Sequence, residues 1–183
     1  PGGATMKGVT IGTFAQFKGR KVSKDELRAI SDADLRAIYR RKYWDVVKGD
    51  DLPAGLDMVA FDGAVNSGPS RGARWLQIGL NITADGKVGP QTLAYARAAN
   101  VSQTIDYACN ARLDFLRRLK TWPTFGKGWG RRVSDVRVTA KRMALADHVN
   151  ETPKTEHVRP DVLKPQPRVS VWRILWAALA AVF

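Results

Sequence analysis

Three side chains stand where residue type and spacing could support chemistry on a polar substrate. Thr5 sits in Pro1-Gly2-Gly3-Ala4-Thr5-Met6-Lys7-Gly8-Val9-Thr10-Ile11-Gly12, which gathers four glycines around two threonines and one lysine. Such a run suits a tight β-turn or short ribbon, where glycine lets another group approach the main chain. An ordinary surface turn is the plainer reading. Asp62 and Asn66 are four residues apart in a helical run and therefore share one helix face. A turn carboxylate and a helix stop are their plainer readings. Metal chemistry has little to work with. Cys109 is the only cysteine and lacks Cys/His partners at ligand spacing, and His148 and His157 fall in a helix tail and a linker. Asn81, Thr83, Asp85 and Gly86 match the start of a calcium-binding EF-hand loop, but Thr92 stands where the bidentate Glu belongs. No cofactor is expected.

These groups need a scaffold, and the chain is long enough to bury one. Its 183 residues are 44% hydrophobic and 26% charged, in the range of a globular protein. A formal charge of +13 predicts attraction to a polyanion. Nucleic acid, anionic lipid and an acidic bacterial wall all qualify, and charge alone does not choose among them.

The pattern along the chain is almost wholly helical. Residues 13–22 are short and mixed, with Phe14 and Phe17 as core anchors. Ser23 and Glu26 form a capping box, and Ser31 and Asp34 repeat the signal ahead of Leu35, Ile38 and Tyr39. Further helices are expected over residues 54–66, 70–80, 90–98, 102–119 and 130–148, with a turn-rich centre at 81–90. The last two are basic, and Arg112, Arg117, Arg118 and Lys120 read as a solvated face. No helix-turn-helix, RNP or zinc-finger signature accompanies them, so nucleic acid is not expected as a partner.

From residue 150 the texture changes. Pro153, Pro160, Pro165 and Pro167 mark a stiff or disordered linker over 150–168. Ten apolar residues follow Arg173, roughly 15 Å of helix against a hydrocarbon core about 30 Å thick. Residues 169–183 therefore read as an interfacial helix or, preferred here, a truncated membrane helix that brings the chain into membrane contact. Lys164 and Arg168 would put the linker on the cytoplasmic side, in conflict with a periplasmic catalytic domain.

Four blocks resemble one family. Pro1-Gly2-Gly3-Ala4-Thr5 with Gly8-Val9-Thr10 is similar to the turn after the catalytic glutamate of the lysozyme-like muramidases of glycoside hydrolase family 108. Phe61-Asp62-Gly63-Ala64-Val65-Asn66-Ser67-Gly68 and Leu76-Gln77 resemble that family's F-D-x-x-V-N-x-G and L-Q. Asp85-Gly86-Lys87-Val88-Gly89-Pro90-Gln91-Thr92-Leu93 looks like the turn of peptidoglycan-associated domains. Phe125-Gly126-Lys127-Gly128-Trp129 with Arg132-Val133 resembles the family's F-x-x-G-W-x-x-R-V.

The resemblance implies a mainly α, lysozyme-like fold with a short β-ribbon at its start. It divides the chain into a catalytic domain over 1–80 lacking its first helix, a helical peptidoglycan domain over 81–149 packed on it, the linker and the tail. It implies hydrolysis of the bond between N-acetylmuramic acid and N-acetylglucosamine in peptidoglycan, at the bacterial cell wall or periplasm, in phage lysis or wall remodelling. The general acid would be the glutamate of a Glu-Gly-Gly-Tyr motif upstream of Pro1, so these 183 residues alone are expected to be inactive. Thr5 matches the threonine that places the attacking water in related phage lysozymes, a task that needs a group able to donate and accept together. Asp62 and Asn66 are the candidates for binding acetamido or hydroxyl groups. A non-catalytic peptidoglycan-binding module is the alternative.

Overall fold

Two serines show how directly this sequence writes its helices. The Ser23 hydroxyl accepts from the Glu26 amide at 3.0 Å while the Glu26 carboxylate accepts from the Ser23 amide at 2.8 Å, which opens a helix at Lys24–Arg28. The hydrogen bond from Arg20, then that from the Ser23 amide, pulls Glu26 down to about 2. Ser31 caps the next helix, Asp32–Tyr39, accepting from the Asp34 amide at 3.1 Å. The computed structural model describes residues 3–151 of the chain. The expected tail at 169–183, and the linker beyond Glu151, lie outside the described residues.

The described residues fall into two units, meeting in sequence at Lys42 and Tyr43. The first opens with an antiparallel ribbon of β1 (Thr5–Met6) and β2 (Val9–Thr10), pairing Thr5 with Thr10 and Met6 with Val9. Helices α1 (Ile11–Lys18), α2 (Lys24–Arg28) and α3 (Asp32–Tyr39) follow. Residues 13–22 look mixed in sequence, yet α1 is regular. Thr10 caps it by accepting from the Thr13 amide at 3.2 Å, and left-handed Gly19 ends it. Val9, Phe14, Leu27, Ile30, Leu35, Ile38 and Tyr39 are buried, so the ribbon and all three helices supply the core.

The second unit is built around α4 (Leu56–Ser67), in which every side chain from Leu56 to Ala64 is buried. Its partners are α5 (Pro69–Gly79), α7 (Val101–Arg117) and α8 (Trp122–Glu151), while α6 (Pro90–Ala98) lies between α5 and α7 in sequence. α4 and α5 approach at Gly72, where an added Cβ would lie 2.6 Å from the Ala60 carbonyl oxygen and the Ala64 nitrogen. Trp44 meets Phe61 edge-on, ring centres 5.5 Å apart, and is part of the core. α7 buries Ile105, Ala108, Cys109 and Leu116, and α8 buries Val133, Val136, Ala140 and Ala144. Burial raises the Cys109 thiol pKa above its ordinary value.

The turn-rich centre is organised by one side chain. Buried Gln77 donates from Nε2 to Asp85 Oδ1 at 2.7 Å, to the Lys87 carbonyl at 3.0 Å and to Thr92 Oγ1 at 3.1 Å. Its Oε1 accepts from the Gly86 amide at 2.8 Å. The Gln77 bond, followed by that from the Lys87 amide, lowers the Asp85 pKa.

The last helix differs from expectation. It begins at Trp122, eight residues before the expected start at 130, and takes in the glycine-rich Phe125-Gly126-Lys127-Gly128-Trp129. Glycine costs about 1 kcal/mol per helical position relative to alanine. Against that cost, Pro123 suits a first turn, and Trp129 packs against both Trp122 and Phe125. Gly126 lies beneath Trp122, where a Cβ would come within 2.5 Å of the indole. No helix among the described residues is long and apolar enough to cross a membrane.

Candidate functional site

In the first unit, Thr5 lies on an exposed strand whose position is fixed from below. Lys7 and Gly8 form the two-residue turn with φ of +46° and +74°, the left-handed pair that hairpins of this length require. Tyr39 donates its hydroxyl to the Lys7 carbonyl at 3.1 Å, and Lys7 Nζ meets Asp32 Oδ1 at 3.2 Å. The Ile11 amide donates to the Ala4 carbonyl at 2.9 Å, closing the ribbon onto α1. Thr5 Oγ1 makes a long 3.4 Å bond to the Gly3 carbonyl, weak enough to exchange for another partner.

In the second unit, Asp62 and Asn66 come together as their spacing predicts. Asn66 Nδ2 donates to the Asp62 carbonyl at 2.8 Å and to Asp62 Oδ2 at 3.3 Å. The Asp62 side chain is only 4% exposed, and both of its oxygens are held by arginines. Arg112 Nη1 from α7 meets Oδ2 at 2.5 Å. Arg132 from α8 meets Oδ1 through Nη2 at 2.7 Å and through Nε at 3.0 Å. The carboxylate thus ties three helices together, and its lone pairs are largely taken up. Asn66 is exposed, and its amide oxygen accepts no hydrogen bond among the described residues.

Beside this cluster is a pocket of about 220 Å³, lined by Asn66, Arg71, Arg112, Phe115, Trp129 and Arg132 among others. Nothing local in the sequence marks Arg112 and Arg132 as partners of Asp62. Arg112, expected on a solvated basic face, is buried instead, with its guanidinium 5.5 Å from the Trp75 ring centre. One signal was available: Arg112 falls between Cys109 and Leu116 on the apolar stripe, where a cation needs a buried carboxylate. Arg132 stands out in the sequence only as part of the Phe125–Val133 motif. Farther along α8, Lys141 likewise reaches Asp106 of α7 at 2.6 Å.

The model of the family described as Glycosyl hydrolase 108 matches residues 1–68. Among solved structures, the chain is similar to "Structure of Brucella abortus SagA", with 45% sequence identity and a TM-score of 0.70. The match covers 79% of this chain and 83% of that one. No curated protein matches the chain.

Proposed function

The chain belongs to glycosyl hydrolase family 108, and from that premise we propose that it serves the hydrolysis of the bond between N-acetylmuramic acid and N-acetylglucosamine in peptidoglycan, at the bacterial cell wall. The observation that carries the reading is the exposed Thr5 hydroxyl on a ribbon anchored by Tyr39 and Lys7, inside the stretch that the family model matches.

The chemistry asks for a protonated carboxylic acid at the leaving oxygen and a group that orients water at the sugar carbon. The family's Glu-Gly-Gly-Tyr glutamate supplies the acid. Thr5 takes the second task, accepting one water proton or donating to the water oxygen while the ribbon holds its Cα in place. Asn66 binds an acetamido or hydroxyl group through its open amide oxygen. Asp62 contributes to that binding by fixing Asn66 and Arg132, since its own oxygens are engaged.

The test is incubation of purified peptidoglycan with the protein carrying the Glu-Gly-Gly-Tyr segment ahead of Pro1. New reducing ends that are muramic acid are expected. Folded protein that sediments with peptidoglycan yet releases none would replace this reading with that of a non-catalytic wall-binding module.

A further inference from the structure

Three arginines line the pocket on the second unit, and a single carboxylate, Asp62, pairs with two of them. Arg71 has no carboxylate partner among the described residues and stacks its guanidinium 4.7 Å from the Phe115 ring centre. Arg112 is 5% exposed, and its Nε has no hydrogen-bond partner, a buried donor left without an acceptor. The local balance is therefore cationic, and the rest of the pocket wall joins the polar Asn66 and Ser67 to the apolar Phe115, Leu116, Leu119 and Trp129. Trp129 also belongs to the outer aromatic group on the first turns of α8. Its ring centre lies 5.6 Å from that of Phe125 and 6.3 Å from that of Trp122, and Phe125 is 52% exposed.

We propose that this pocket and the Trp129–Phe125–Trp122 ledge form a subsite for an acidic glycan branch, with a carboxylate on Arg71 and Arg132 and a sugar ring on the aromatic ledge. The assignment rests on the peptidoglycan reading above and names the part of that polymer recognised. A guanidinium fork suits a carboxylate by geometry as well as charge. Arg71, pre-oriented by its stacking on Phe115, supplies that fork, while Arg132, whose Nε and Nη2 are on Asp62, adds its remaining nitrogen. Size sets the division of labour. A volume of about 220 Å³ holds on the order of seven waters, enough for a short acidic branch and too little for a disaccharide. The glycan backbone therefore runs outside, where exposed Phe125 and half-buried Trp122 and Trp129 offer a ring's C–H groups an apolar surface. In peptidoglycan the branch is the lactyl ether of alternate sugars, ending either in its own carboxylate or in the carboxylates of a peptide stem.

The test measures binding to the chain by titration calorimetry with three probes. They are an N-acetylglucosamine tetramer without carboxylate, peptide-stripped glycan with free lactyl carboxylates, and stem-bearing glycan fragments. Arg71→Ala is expected to weaken the two acidic probes about tenfold and leave the neutral tetramer unchanged. Trp129→Ala is expected to weaken all three. Arg71→Lys keeps the charge but not the planar stack and should recover only part of the loss. Whichever acidic probe binds more tightly assigns the carboxylate to the lactyl group or to the stem. Arg71 is exposed, and unchanged thermal melting of its variants separates lost contact from lost fold. Equal affinity of the neutral and acidic probes, or unchanged acidic affinity in Arg71→Ala, overturns the subsite. Binding is read without turnover, so the two readings fail separately. Lost affinity in Arg71→Ala, with no glycan cleavage by the protein that carries the Glu-Gly-Gly-Tyr segment, keeps the subsite and removes the hydrolase reading. Cleavage with unchanged affinity does the reverse.

Discussion

Asp62 and Arg132 stand 70 residues apart in sequence and meet through two guanidinium nitrogens, the closer at 2.7 Å. With Arg112 on the other oxygen, this pairing fastens α4, α7 and α8 to one carboxylate. Removing one member of a buried pair leaves the other charge uncompensated, which costs about 3–5 kcal/mol. Asp62→Ala should therefore lower the stability of the second unit by about that amount, read from urea unfolding followed by tryptophan fluorescence. Replacing Asp62 and Arg112 together by leucine should cost less than the two single changes summed.

A second stability prediction concerns the α4–α5 contact. Gly72→Ala puts a methyl group 2.6 Å from main-chain atoms of Ala60 and Ala64, which cannot swing aside as a side chain tip can. Overpacking of this kind costs about 1–3 kcal/mol. The variant should melt several degrees below wild type, while Gly128→Ala, with nothing near its added Cβ, should not.

The Asp85 turn carries a pH dependence whose sign follows from its bonds. Gln77, then the Lys87 amide, lowers the Asp85 pKa in the folded chain. A depressed folded pKa means the contribution is fully present above the unfolded value of about 3.9 and is lost as pH falls through the folded value. Carboxyl-carbon NMR of Gln77→Leu should show Asp85 titrating higher than in wild type. The Gly86 and Lys87 amides should exchange faster in that variant.

For the hydrolytic reading, Thr5→Val keeps the β-branched shape on the strand and removes the hydroxyl. Glycan cleavage by the protein carrying the upstream glutamate should fall about 10²-fold, with binding little changed. Thr5→Ser should keep most of the activity. Equal rates for Thr5→Val and wild type would dismiss Thr5 as the water-positioning group.

The parts legible in the sequence were those written in neighbouring residues. Ser23 with Glu26, Ser31 with Asp34, Pro90 in a first turn, and the shared face of Asp62 and Asn66 are all short-range statements; they give the helical pattern, while the lysozyme-like fold came from the resemblance. What escaped was long-range. A carboxylate at position 62 does not name guanidinium groups at 112 and 132, and a cation on an amphipathic helix reads as solvated until its burial is seen. The early start of α8 was hidden for a related reason. Its glycines argue locally against helix, and the rings of Trp122, Phe125 and Trp129 that favour it count only once they are packed.

Cys109, the sole cysteine of the sequence, is 2% exposed in the stripe of α7, and burial raises its thiol pKa. The protein therefore carries its own clock for internal opening. A thiol reagent in excess can reach this sulfur only when α7 parts from its neighbours, so the rate of labelling counts those excursions without an engineered probe.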